Sequence, residues 1–179
     1  GANWYALIAT AGLAALVVVH FVYAIILTLQ NKKARGGQGY AYTVKPKNVE
    51  WASQNMFVLG VIVILGMALH LFNFWANMQL VEVLHMLGAN VDASLAADGV
   101  HYIKETFACP VYVALYVIWL VALWFHLTHG FWSALQTLGW ANQIWFNRWR
   151  VIGNVIVTII ILGFLAVVAV YAVCPCAGC

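Results

Sequence analysis

Residues 107–147 read FACPVYVALYVIWLVALWFHLTHGFWSALQTLGWANQIWFN, without one charged side chain. A stretch this long and this apolar has no water-facing side. It reads as a helix crossing a membrane, for which about 20 apolar residues suffice. Three more stretches share its character: Trp4 to Leu29, Trp51 to Val81 and Val151 to Cys179. Across all 179 residues, 65% are hydrophobic and 7% charged, whereas soluble domains carry about 25% charged residues. Strands of a membrane barrel would show as alternating segments of about ten residues, and that pattern is absent. The expected fold is all-α. It is an integral membrane helical bundle, one domain over 1–179, with spanning helices at about 4–29, 52–78, 110–140 and 151–173.

No internal repeat or low-complexity tract interrupts this plan. The chain opens at Gly1 without methionine and without a basic leader region, and the first stretch is too long for a signal segment. These features predict that the chain begins in the middle of a longer protein.

The eight basic residues are unevenly placed. Lys32, Lys33, Arg35, Lys45 and Lys47 fall between the first and second stretches, and Arg148 and Arg150 between the third and fourth. Only Lys104 falls between the second and third, where Glu82, Asp92, Asp98 and Glu105 make the connection acidic. The positive-inside rule then places the two basic connections in the cytoplasm. The Gly1 end and the C-terminus lie on the outer side, in a multi-pass protein expected in the bacterial inner membrane. Trp51, Trp75, Trp140 and Trp149 are expected at helix ends, as an aromatic belt. The net charge of +3 resides in loops, and no nucleic-acid partner is implied.

Three histidines fall inside spanning stretches: His20, His70 and His126. An ionisable group in hydrocarbon is costly to bury and tends to carry function; for several imidazoles together, holding a metal cofactor is the leading role. His20 and His126 each precede the cytoplasmic end of an inward-running helix by about ten residues, or about 15 Å. They share a level. His70 lies near the outer end of the second helix, about 10–15 Å away in depth. A b-type haem takes two axial groups from facing helices at one height, so His20 with His126 forms a pair and His70 needs another partner. His85 and His101 in the acidic loop are weaker candidates, because Asp98 and Gly99 mark a solvated turn. The opposing reading is that a membrane histidine only hydrogen-bonds across helices.

His126, His129, Gly130, Ser133 and Thr137 follow the spacing of one helix face. Gly130 sits one turn from His126, Gly66 one turn before His70, and Gly12 two turns before His20. Small residues there would let a flat macrocycle approach the backbone; equally, they would mark a tight helix–helix seam. His129 would contact a haem propionate or a quinone oxygen, or join a supporting hydrogen-bond network. The tail Cys174-Pro-Cys176-Ala-Gly-Cys179, with Cys109, fits no zinc or iron–sulfur spacing well.

These segments resemble the single-polypeptide, two-haem cytochrome b membrane subunit of succinate dehydrogenase and fumarate reductase. The likeness is carried by Phe125-His126 through Gly139, by Ala68-Leu69-His70-Leu71-Phe72-Asn73-Phe74-Trp75, by Val19-His20-Phe21-Val22-Tyr23-Ala24 with the basic exit Gln30 to Arg35, and by Gln54-Asn55-Met56. It covers most of residues 1–139; the last helix is generic. The resemblance implies two b-type haems. His20 and His126 would hold the proximal haem iron and His70 one side of the distal one; the family has five spanning helices, and its first, expected here before Gly1, would carry the second distal ligand. His129, Gly66, Gly130 and Ser133 would line the cofactor sites. It implies menaquinone as substrate, flavoprotein and iron–sulfur subunits as cytoplasmic partners, and a dimer of complexes. The fumarate/succinate site would lie on the flavoprotein. Some members carry an acid two residues before the histidine matching His126, for proton movement; here that residue is Trp124, and no acid falls inside the four stretches.

Two other readings compete. A hydrogenase- or formate dehydrogenase-type cytochrome b anchor would complete both haems within about four helices, which leaves His70 unexplained. A haem-free structural anchor or a transporter is the third; transporters favour broken helices with polar groups at midplane.

Overall fold

In the computed structural model, residues 4–36, 50–140 and 142–173 are described. Their secondary structure is helical, with no strand among the described residues. Among the described residues, four helices are long and apolar enough to cross a membrane: Trp4–Ala34, Met56–Met86, Pro110–Thr137 and Trp145–Val173. The protein is an all-α, multi-pass membrane protein. The chain divides into two units, Gly1–Val49 and Glu50–Cys179. Among the described residues, the first unit is a single helix, α1 (Trp4–Arg35), which carries His20.

The second unit is a bundle. The short α2 (Trp51–Gln54) leads into α3 (Met56–His70). From Leu71 to Leu80 the helix widens to a π-helical stretch and then resumes as α4 (Val81–Met86). After a loop come α5 (Gly99–Phe107), α6 (Pro110–Thr137) and α7 (Trp145–Val173). Helix α6 packs on both α3 and α7, while α5 rests against the π-helical stretch, α6 and α7. On α7 the buried positions Gly153, Val157, Ile161 and Val168 form one stripe, and this stripe meets Tyr116 and Leu120 of α6. The outward positions are as apolar as the seam: Leu65, Val111, Ile159, Leu162 and Phe164 are all exposed. Water would not tolerate such a surface on a monomer, whereas lipid does.

Without a hydrophobic force between helices in lipid, close packing of large on small residues holds them. Two glycines supply notches for rings of α6. A side chain at Gly66 would land inside the indole of Trp119, and one at Gly153 would land on the ring of Phe131. The Trp119 Nε1–H also donates to the carbonyl of Val63 at 3.0 Å. Between α6 and α7, Trp124 Nε1–H donates to Thr158 Oγ1 at 2.9 Å.

Several helix limits differ from the sequence expectation, each for a local reason. The second spanning helix does not stop near residue 78 but continues to Met86, so Glu82 and His85 lie on a helix rather than in a loop. Asn77 permits this: its Nδ2 donates to the carbonyls of Phe72 at 3.1 Å and Asn73 at 2.9 Å. It thereby satisfies carbonyls along the widened turns. Trp75 consequently sits within a helix, not at its end. The expected solvated turn at Asp98-Gly99 is instead the start of α5, because Asp98 Oδ1 accepts from the backbone N–H of His101 at 3.0 Å and caps the helix. The end of α6 is close to expectation. Gly139 takes φ +76, and Trp140 N–H and Gly139 N–H donate to the carbonyls of Leu135 and Gln136, a Schellman closure that needs the left-handed glycine. In the loop before α5, the backbone N–H of Ser94 donates to Asp92 Oδ1 at 2.9 Å. That bond, with the Ser94 hydroxyl, holds the Asp92 carboxyl below the usual range.

Candidate functional site

His70 and His126, both in the second unit, occupy two levels. His126 on α6 faces α3 at Gly60, its Cε1 lying 3.8 Å from where a Cβ on that glycine would be. His70 ends α3 ten residues later, about 15 Å further along the helix. It sits among Phe74, Trp119 and Tyr116, with ring centroids at 5.1, 5.6 and 6.3 Å. Tyr116 is buried, and its hydroxyl accepts from Asn73 Nδ2 at 3.3 Å. Asn73 lies in the π-helical stretch directly after His70, a kind of irregularity often found at functional sites. His20 lies on α1, in the other unit.

The residues around these imidazoles separate into two kinds. Gly130, one turn from His126, has open space above it, and Ser133 is half-buried on the same face. An imidazole beside an open glycine fits a flat macrocycle lying along α6. Gly66 differs. Its notch is filled by Trp119, so this glycine serves the α3–α6 seam rather than a cofactor's approach to His70. The imidazole of His70 itself is exposed at the rim of the aromatic cluster. No group of three or more His, Cys, Asp or Glu side chains converges on a metal position among the described residues; a haem iron needs only two axial side chains. His101 instead pairs with Glu105 at 3.7 Å. Cys109 precedes α6 as a free thiol, and Cys174, Cys176 and Cys179 lie outside the described residues.

At the opposite end of the bundle from His70, three charged or titratable groups from separate elements meet. His129 Nδ1 lies 3.2 Å from Glu50 Oε2, and Arg150 donates to the other oxygen, Oε1. Glu50 precedes α2, His129 is on α6 and Arg150 is on α7, so this one carboxylate joins the three. Beside it opens a cavity of about 210 Å³ walled by Trp51, Trp124, Phe125 and Trp132, with Thr128 and Asn154 among its polar lining. His129 was expected to face a cofactor or a network; here it joins a network. The roles of Glu50 and Arg150 were not anticipated. The available signal was that Glu50 is the one acid of five lying among the basic connections.

Compared with protein-family models, curated proteins and solved structures, the chain matches none.

Proposed function

We propose that this protein is the haem b membrane anchor of a succinate dehydrogenase or fumarate reductase. It passes electrons between a membrane quinone, menaquinone by resemblance, and iron–sulfur and flavoprotein subunits. The observation that carries this reading is the placement of His70 and His126 at two separate levels of one apolar bundle, with open space over Gly130 one turn from His126. His126 would hold one side of the proximal haem and His70 one side of the distal haem. When bound, haem with two imidazole ligands supplies one-electron transfer. The chain's own part is to fix the imidazoles at two depths and to surround His70 with aromatic rings. It also keeps charge out of the spanning segment near His126, where Trp124 bonds to Thr158. The end bearing Arg148 and Arg150 faces the cytoplasm under the positive-inside rule, and the partner subunits dock there. The purified protein is expected to give a reduced-minus-oxidised spectrum of b-type haem. Well-folded protein expressed with ample haem supply, yet lacking that spectrum, would refute the proposal.

A further inference from the structure

We propose that the lipid-facing side of α7 holds an anionic phospholipid, with its phosphate on Arg148 and one acyl chain in the groove along Val155 and Ile159. Such a site needs no haem and stands apart from the electron-transfer reading.

The two arginines of α7 point different ways. Arg150 precedes the buried Gly153 by three residues, about 60° around the helix. It turns toward the bundle, where it donates to Glu50. Arg148 precedes Gly153 by five residues, about 140° away from the buried stripe. Its side chain is exposed, and among the described residues no carboxylate pairs with it. The guanidinium lies over the Trp145 ring at 5.1 Å, and that indole leans on Trp149 at 5.7 Å. Stacking holds the guanidinium by its face and leaves its edge N–H groups for an oxyanion.

Depth supplies the oxyanion. Helix α7 has 29 residues, about 43 Å at 1.5 Å per residue, and a bilayer with its head groups measures about 40–45 Å. The first turns of α7 therefore reach the head-group layer, where phosphates lie. Beneath Arg148, Ile152, Val155 and Ile159 follow at i+4, i+7 and i+11 on one exposed face. Val155 and Ile159, with Asn154 and Thr158, border an open groove of about 270 Å³. The Thr158 hydroxyl is already engaged by Trp124. A groove of this kind on a lipid-facing surface takes a length of acyl chain.

Charge decides between a lipid and a second copy of the chain. A two-fold dimer sets the same patch against itself, so Arg148 would meet Arg148. A phospholipid of net negative charge brings the opposite sign, and one basic residue at an anionic leaflet is worth about a fivefold gain in binding.

Native mass spectrometry of the full purified chain tests this, in detergent micelles holding equal amounts of dioleoyl phosphatidylglycerol and dioleoyl phosphatidylcholine. The chain is expected to keep phosphatidylglycerol about fivefold over phosphatidylcholine. Arg148→Gln should erase that preference, and Arg148→Lys, which keeps the charge, should retain most of it. Ile159→Trp, which fills the groove, should lose both lipids together. Equal retention of the two lipids by the unmodified protein would overturn the proposal, as would a preference that survives Arg148→Gln. Retention of both lipids by Ile159→Trp would do the same. Displacement of phosphatidylglycerol by inorganic phosphate would make Arg148 a site for soluble anions and refute the lipid as occupant.

Discussion

Replacing Gly66 with alanine probes the closest seam in the bundle. The new methyl would fall within the Trp119 indole, so the ring must leave its rotamer or α3 and α6 must part. Overpacking of this kind costs about 1–3 kcal/mol. Moving the indole also breaks its bond to Val63, and interhelical hydrogen bonds in membranes average about 0.6 kcal/mol. The sum is about 2–4 kcal/mol, or a rise of roughly thirtyfold or more in the unfolded population. Unfolding by sodium dodecyl sulfate in mixed micelles, followed by circular dichroism, would measure it. The double variant makes the argument specific. With Trp119→Ala in place the methyl enters empty space, and Gly66→Ala becomes close to neutral, since alanine is the better helix former by up to about 1 kcal/mol. A coupling free energy of about 2 kcal/mol is therefore expected. Additive effects, or a Gly66→Ala protein as stable as the parent, would show that Gly66 is not there to seat Trp119. In that case its role as an approach to a cofactor at His70 would return.

Substituting His126→Leu is expected to remove one haem and spare the other, and His70→Leu to do the reverse; titration of the two haem potentials would distinguish this from loss of both or neither. Asp98→Ala removes the cap of α5 and should cost about 0.5–2 kcal/mol, measured as faster amide hydrogen exchange from Gly99 to Phe107 with little change in α6. Asp92 titrates lower when folded than when unfolded, so its support of the loop is complete above the ordinary carboxylate value. That support disappears as pH falls through the depressed value. The Ser94 amide resonance should report this transition, and Asp92→Asn should abolish it.

The spanning helices were legible because hydrocarbon demands long apolar segments with internally satisfied backbones, a demand written into composition. Depth was legible for the same reason: the rise per residue is fixed, so His70 and His126 could be assigned to different levels. Helix ends were less so. Asn77 closes on carbonyls four and five residues back, and this carries the helix beyond residue 78, where the sequence reading placed its end. The capping role of Asp98 was misread because an aspartate before a glycine signals a turn and a helix start equally well. Gly66 and Gly130 looked alike as small residues near histidines, yet only the packed structure separates a notch filled by a ring from open space. The meeting of Glu50 with His129 and Arg150 joins residues 79 and 100 positions apart, a closure that no local pattern encodes.

The widened turns from Leu71 to Leu80 act as stored slack in the longest helix of the bundle. Each step from i+4 to i+5 bonding adds a residue without adding a turn, and one residue corresponds to about 100° of rotation. Residues after Leu80 therefore point in directions that a uniform helical wheel drawn from Met56 would misassign. The same slack makes the helix adjustable. Losing one residue between Phe72 and Gln79 would be absorbed by tightening one of these turns to i+4 bonding, leaving His70, Glu82 and His85 all in their present directions. The Glu82 end of this helix thus keeps its aim through a single deletion, whereas the same loss in α6 or α7 would turn everything beyond it by about 100°.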